Sequence, residues 1–121
     1  MPSSFLKEGG LQMLYELREY ESMPGMLPVL LKRFQENVIP LWEKHGIVPL
    51  GFWTTLIGAS ANVSVRYMIV WESLAEREKK WTAFVVDPEW ISIRDKTEEN
   101  GPYVARFTNS ILTPTAFSKL K

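Results

Sequence analysis

The sequence predicts one α+β domain with the ferredoxin-like order β-α-β-β-α-β, in which an antiparallel sheet carries its helices on one face. Apolar residues alternate with period two in four segments, which is typical of strands. Between these segments apolar residues recur every three to four positions, which is typical of amphipathic helices. The length of 121 residues fits a single domain, which we place at residues 13–118, after a short, polar leader at residues 1–12.

Turn and capping residues set the ends of the predicted elements. Ser22 is a candidate N-cap for the first helix, and Pro40 should kink that helix because proline lacks an N–H donor. Ser73 with Glu76 forms a capping box before the second helix, and Asp87 caps a short helix that follows it. The predicted elements are strands at residues 13–21, 47–58, 63–72 and 103–115, and helices at residues 27–44, 74–86 and 88–99.

The sheet face without helices is predicted to be too apolar to meet water. The second strand is apolar on both sides, including Leu56 and Ile57 near its end. A second copy of the chain is the simplest cover, and two such sheets would form a dimeric, barrel-like α/β assembly with an internal space. By alternation, we place on this face Leu14, Glu16, Arg18, Tyr20, Met68 and Val70, with either Phe52 or Trp53.

Charged residues on that face suggest what the space between the two sheets binds. Glu16 would stand there with Arg18, Arg66 and also Arg106, and one carboxylate cannot balance three buried guanidiniums. We therefore expect a small, anionic ligand in the cleft. The alternative is that these residues pair with one another across the dimer or lie at its wet rim. The complete candidate ligand-binding set is Tyr15, Glu16, Arg18, Trp53, Arg66 and Arg106.

The tryptophans divide into core residues and one cleft candidate. Trp71 shares a strand face with other apolar residues and Trp81 lies on an apolar helix stripe, so both are expected in the helix–sheet core. Trp90 should anchor the short helix, and Phe117 should pack the C-terminal tail. Trp53 is the candidate wall of the cleft because its strand is apolar on both sides.

Composition and charge exclude several kinds of function. Fourteen basic and fourteen acidic residues leave no net charge, so no nucleic-acid partner is expected. The chain has no cysteine and one histidine, His45, at a predicted helix end, so we expect neither a metal site nor a cofactor. No apolar run is long enough to span a membrane and no signal peptide is evident, so a cytoplasmic protein is expected.

Six separate motifs resemble one protein family. They are "YELREYESMPG", "PLWEKHGI", "GFW", "WESLAEREKKWTAF", "DPEW" and "NSILTPTAFS", in that order along the chain. Together they resemble the NIPSNAP family over nearly all of the sequence after residue 12. The resemblance implies a dimeric α/β-barrel in which two ferredoxin-like units pack sheet to sheet. Animal members are associated with mitochondria and vesicle traffic, and the short bacterial members have no settled activity.

Three functions remain open at this point. The first is a homodimeric NIPSNAP-type barrel that binds a small anionic ligand between its sheets. The second is a cofactor-independent monooxygenase acting on an aromatic or quinol-like substrate, which needs a closed apolar pocket with groups that deprotonate the substrate. The third is a protein-interaction module. A sealed pocket inside each protomer would favour the enzyme, and a filled interior with an exposed apolar helix face would favour the interaction module.

Overall fold

A computed structural model describes residues 13–121, and the predicted leader at residues 1–12 lies outside them. Four strands form one antiparallel sheet, in which the first and third strands along the chain are central and the second and fourth are at the edges, which confirms the predicted fold class. The second helix is divided in two, as the sequence predicted. The elements are β1 Leu14–Ser22, α1 Leu27–Arg33, a π-helical turn Phe34–Val38, α2 Ile39–His45, β2 Val48–Thr54, β3 Ser64–Trp71, α3 Leu74–Val85, α4 Pro88–Thr97 and β4 Val104–Leu112.

The first helical segment is continuous through Pro40 because it changes its winding just before the proline. In the π-helical turn, the N–H of Ile39 donates to the carbonyl of Phe34, five residues back. Pro40 then stands in the first turn of α2, where a missing N–H costs nothing. The predicted N-cap is wrong: Ser22 is the last residue of β1, and its N–H still bonds to the carbonyl of Val63.

The strand register decides which side chains face the helices. Arg18 lies opposite Tyr67, and Glu16 lies opposite Ile69. Directly opposed residues of an antiparallel pair project from the same face, and Tyr67 and Ile69 belong to the core that packs against the helices. The predicted placement of Glu16 and Arg18 on the side without helices is therefore wrong. Alternation separates the two faces of β1, but it does not say which of them is covered.

The main core lies between the sheet and the helices. We call the side of the sheet that carries Val65, Tyr67, Ile69 and Trp71 the helix face. Trp71 is fully buried there, and Trp81 packs against the same cluster, as predicted. Trp90 stacks on Phe84 of α3 with 5.3 Å between the ring centroids, which ties α4 to the core. The aromatic residues thus hold the helix layer on the sheet.

The opposite side, the helix-free face, is partly covered by the chain itself. Tyr15 is 4% exposed and packs in a small cluster with Met13 and Val70, which Leu120 also contacts. The tail therefore packs through Leu120, and the prediction for Phe117 is wrong, since that ring is 88% exposed. Three apolar residues related to this face by strand register stay exposed: Val48, Trp53 and Leu112.

The second strand is shorter than predicted. β2 ends at Thr54, and its pairing with β3 shifts register between Pro49 and Gly51. Leu56 and Ile57 therefore lie in the loop after the strand, where they are 91% and 90% exposed. Their assignment to two strand faces is wrong because alternation was continued past the strand end.

Candidate functional site

A pocket of about 350 Å³ lies between the helix face and the helices. Its volume falls within the range of small-molecule sites, which begins at roughly 300 Å³. Half of its lining residues are aromatic, and Arg18 and Arg33 also line it. The aromatic ones are Tyr20, Phe34, Trp42, Tyr67, Trp81, Phe84, Trp90 and Phe107. We call this space the helix–sheet pocket.

The sheet and the helical segments all contribute lining residues to the helix–sheet pocket. Arg18 and Tyr20 are two residues apart on β1, so both project from the helix face. Trp90, Arg94 and Glu98 follow at four-residue spacing along α4, so they lie on one side of that helix. The pocket therefore forms only when the sheet and all of the helical segments are packed.

Arg18 is held in the wall by hydrogen bonds and by rings. It is 5% exposed, and its Nε donates to the hydroxyl of Tyr67 while its Nη2 donates to the hydroxyl of Tyr20, both at 2.9 Å. Its guanidinium carbon lies 4.6 Å from the ring centroid of Trp81 and 5.1 Å from that of Phe107. Burial lowers the pKa of Arg18, but Tyr67, Tyr20 and Glu16 outweigh it and raise that pKa above its usual value. The side chain is therefore a fixed cation among aromatic faces.

Glu16 stands behind Arg18 and is shared by two cations. It is fully buried and accepts from Arg18 Nη1 at 2.9 Å and from Arg77 Nε and Nη2 at 2.7 and 3.1 Å. Trp71 Nε1 and Asn109 Nδ2 also donate to it, at 3.0 and 3.1 Å. Burial raises the pKa of Glu16, but the hydrogen bonds from Arg77, Asn109, Arg18 and Trp71 together lower it to about 2. One carboxylate thus faces two guanidiniums, and the cluster keeps a positive charge.

Arg33 is the second buried cation of the pocket. It is 8% exposed, and its Nη1 donates to Thr97 Oγ1 at 3.1 Å and to a Glu98 carboxylate oxygen at 2.7 Å. Its guanidinium carbon lies 4.6 Å from the ring centroid of Tyr103 and 5.3 Å from that of Trp90. Its Nε is buried and has no hydrogen-bond partner among residues 13–121, and the same holds for Nε1 of the pocket residue Trp42.

The six residues predicted from sequence do not form one site. Among them, only Arg18 lines the helix–sheet pocket. Register places Tyr15, Trp53 and Arg66 on the helix-free face, opposite Val70, Arg66 and Glu19 respectively, and Arg106 opposite Glu21 on the same side. There, Tyr15 is buried while the other three are at least partly exposed.

The cations of the helix-free face are already neutralised. Arg66 donates to Glu19 at 2.8 Å, and Arg106 lies 3.4 Å from a Glu21 oxygen. These two pairs border a groove of about 190 Å³. Two guanidiniums meet two carboxylates, so this groove has no surplus charge. The predicted imbalance of three arginines over Glu16 is therefore absent from this face, and Arg66 and Arg106 form ion pairs, as the alternative reading of the sequence allowed. On the helix face, Glu16 meets Arg18 and Arg77, and Arg77 was not predicted.

Sequence reasoning missed Arg33, Arg77 and Trp42 as site residues. Arg77 lies four residues before Trp81, on the side of α3 that meets the sheet, and this spacing was a usable signal. Arg33 lies three residues after the buried Leu30, so it also follows the apolar stripe. A charged residue on an apolar helix stripe is a better indication of a buried site than alternation on a strand.

His45 is the last residue of α2 and contacts the carboxylate of Asp87. Its Nε2 lies 2.7 Å from Asp87 Oδ2, the carboxylate that also accepts from Lys44 Nζ at 2.9 Å and from the N–H of Glu89 at 2.8 Å. Asp87 thereby caps α4, as predicted, and links it to α2. In residues 13–121, no three histidine, aspartate or glutamate side chains are grouped so that they could hold a metal ion. Over the same residues, no helix has the length and apolar character needed to cross a membrane.

The ferredoxin-like sheet and its helices, with an aromatic, arginine-lined pocket between them, define the class: a small α+β protein with a partly open pocket. The chain belongs to the NIPSNAP family, whose profile matches residues 15–119. The resemblance seen in the sequence motifs is thus confirmed.

Solved structures of bacterial relatives share this fold. A NIPSNAP family protein with unknown function from Agrobacterium tumefaciens is 24% identical, with a TM-score of 0.79 over 97% of this chain and 99% of that chain. Another NIPSNAP family protein from the same species is 26% identical, with a TM-score of 0.77 over 91% and 100% of the two chains. An uncharacterized NIPSNAP-like domain protein from Burkholderia xenovorans is 25% identical, with a TM-score of 0.75 over 88% of each chain. Among curated proteins the comparison found no match.

Proposed function

We propose that this NIPSNAP protein binds a small, flat, apolar molecule with an anionic group in the helix–sheet pocket, and that Arg18 receives the anionic group. The observation that carries the proposal is the sharing of one buried carboxylate, Glu16, by Arg18 and Arg77. The side chain of Arg77 is 26% exposed and is partly hydrated, whereas Arg18 is 5% exposed and has only a share of the Glu16 charge. A buried guanidinium that is not fully neutralised is costly unless an anion pairs with it. Arg18 is the member of that cluster that borders the pocket.

The aromatic wall supports a flat ligand. Trp81 and Phe107 flank the guanidinium of Arg18, and Trp42, Phe84 and Phe34 continue the wall away from it. A planar apolar body gains from stacking against such rings, while its acidic group reaches the cation. A pocket of about 350 Å³ also argues against the interaction-module alternative, which would need a filled interior.

Binding is better supported than proton abstraction. A cofactor-independent oxygenase needs a base in the pocket that can take a proton from its substrate. Among the described residues that line the pocket, Glu98 is the carboxylate, and it is paired with Arg33 at 2.7 Å. Burial raises the pKa of Tyr67 well above its usual value, so its hydroxyl stays protonated at neutral pH. We therefore place the anion-binding function first.

The site proposed above lies within one protomer. A two-copy barrel, closed over Val48, Trp53 and Leu112 on the helix-free face, stays a prediction from sequence and family. Such closure would bury Trp53, which is 54% exposed, but it is not required for the charge or shape of the helix–sheet pocket.

Calorimetric titration with 2-naphthoate and its neutral analogue 2-naphthamide tests the proposal. We expect the carboxylate to bind the wild type about 10 to 100 times more tightly, which corresponds to a charge-assisted hydrogen bond of roughly 1.5–3 kcal/mol. Arg18→Met removes the charge, and it should remove most of this preference. Arg66→Met is the matched control, because Arg66 lies on the helix-free face and should leave the preference unchanged. Equal affinities for the two compounds, or a preference that survives in Arg18→Met, would contradict the proposal.

A further inference from the structure

Arg33 carries a buried Nε–H donor that has no hydrogen-bond acceptor among residues 13–121. Thr97 and Glu98 both accept from Nη1, so they fix the guanidinium from one end. The Nε–H is buried and has no partner in the part of the chain that the structure describes. Native proteins rarely leave a buried charged donor without an acceptor, and such a donor beside a pocket calls for an explanation.

The same molecule shows how a carboxylate occupies such an edge. Arg77 grips Glu16 through Nε at 2.7 Å and Nη2 at 3.1 Å, which is the side-on, two-bond arrangement of arginine with a carboxylate. On Arg33 the corresponding edge begins with the unpartnered Nε. An acidic group arriving there would not have to displace Glu98, because Glu98 contacts Nη1.

A chain of ring contacts links the two buried arginines. Arg18 lies over Trp81, and Trp81 meets Phe84 with 5.4 Å between centroids. Phe84 stacks on Trp90 at 5.3 Å, and Arg33 lies 5.3 Å from the Trp90 centroid. Arg18, Arg33 and these three rings all line the helix–sheet pocket. A flat molecule that contacts these rings from Trp81 to Trp90 would therefore have a guanidinium near each of its two ends.

We propose that the Nε edge of Arg33 is a second anion subsite, so that the preferred ligand of the helix–sheet pocket is a flat apolar molecule with acidic groups at two ends. The inference rests on the proposed function, since it assumes that the first acidic group binds at Arg18. Thr97 and Glu98 act as positioning residues because they hold Nη1 and leave Nε unpaired.

The test compares aromatic dicarboxylates with their matched monocarboxylates by calorimetric titration of the full chain. Terephthalate is paired with benzoate, 2,6-naphthalenedicarboxylate with 2-naphthoate, and 4,4′-biphenyldicarboxylate with 4-biphenylcarboxylate, so that three lengths are covered. For the length that fits, we expect the dicarboxylate to bind the wild type at least about tenfold more tightly than its monocarboxylate. Arg33→Met should abolish that gain and change monocarboxylate affinity by less than about threefold, because the first subsite is untouched.

Arg94→Met is the matched control. Arg94 also lines the pocket, but it is about half exposed and paired with Asp95, so its loss should leave the dicarboxylate gain in place. Arg33→Lys gives a second variant that keeps the charge without the two-bond edge, and it too should lose most of the gain. It serves in place of Arg33→Met if that variant does not fold.

The titrations can contradict the Arg33 subsite without contradicting anion binding at Arg18. If monocarboxylates bind but no dicarboxylate binds more tightly, the second subsite is overturned and the first is retained. If the gain persists in both Arg33 variants, or disappears in Arg94→Met, Arg33 is not the subsite. If no carboxylate binds the wild type at all, the proposed function fails and the second subsite fails with it.

Discussion

Replacing Glu16 with glutamine is expected to lower the free energy of unfolding by about 3–5 kcal/mol, the range measured when one partner of a buried ion pair is removed. Glu16 is fully buried and accepts hydrogen bonds from four side chains. Glutamine keeps the shape, but it leaves the guanidiniums of Arg18 and Arg77 without a counter-charge. Urea denaturation at fixed protein concentration measures the loss.

Glu19→Gln is the matched control for this substitution. Glu19 lies on the same strand as Glu16 but on the helix-free face. Its side chain is 44% exposed, and its partner Arg66 is exposed to a similar degree. Its loss should cost only about 0–1 kcal/mol, as for other surface ion pairs. A cost for Glu16→Gln no larger than that of the control would mean that the buried cluster is not held together by its carboxylate.

The free energy of unfolding of the wild type should also depend on pH, because the pKa of Glu16 differs between the folded and unfolded states. The folded pKa of Glu16 is lowered to about 2, below the ordinary value of 4.5 for an unfolded glutamate. The unfolded state therefore binds the proton first, so the stabilisation is complete above about pH 4.5 and is lost as the pH falls towards about 2. In Glu16→Gln, this part of the pH dependence should disappear, and denaturation curves at pH 6 and pH 3 should move closer together than in the wild type.

Trp42→Ala is expected to cost about 3–5 kcal/mol of unfolding free energy, the usual range for truncating a buried large aromatic residue. Trp42 is 1% exposed and stacks on Phe52, with Tyr67 at 5.4 Å and Trp81 at 6.1 Å between ring centroids. The cavity left by the indole would join the helix–sheet pocket, whose wall Trp42 forms. Urea denaturation of the variant measures the loss of stability.

Trp53→Ala is the control for Trp42→Ala, because it truncates an exposed tryptophan instead of a buried one. Trp53 is 54% exposed on the helix-free face, so within one protomer its truncation should change the unfolding free energy by no more than about 0.5 kcal/mol. Similar losses for both tryptophans would show that the helix-free face is packed in solution as tightly as the core. Such a result would support the two-copy barrel and would weaken the distinction between the two faces.

The order of elements could be predicted because it follows from local signals. Period-two and period-3.6 patterns separated strands from helices, and the Ser73 and Asp87 caps fixed where α3 and α4 begin. The winding change before Pro40 could not be predicted, because a kink and a π-helical turn both accommodate a proline in a helix. The end of β2 at Thr54 was missed because exposed apolar residues in a loop look like a continued strand.

The candidate site was predicted only in part. The prediction grouped Glu16 with Arg18, which the structure bears out, but it assigned the pair to the wrong face and added Arg66 and Arg106, which lie on the other face. A strand that carries Leu14 and Tyr20 beside Glu16 and Arg18 gives no local sign that its charged side is the covered one. Which side of the strand is covered depends on the helix side chains that pack against it. Arg77 on α3 is one of them and supplies the second cation to Glu16. Arg33 and Trp42 belong to the site through packing between elements distant in sequence, which alternation cannot reveal.

A crystal structure of the protein soaked with 6-bromo-2-naphthoate, using the anomalous signal of bromine, tests the central claim most directly. The account predicts a bromine peak inside the helix–sheet pocket, with the carboxylate within hydrogen-bonding distance of Arg18 and the rings against Trp81. A peak confined to the groove beside Arg66 and Arg106 on the helix-free face, or a helix–sheet pocket that stays empty at saturating ligand, would contradict it.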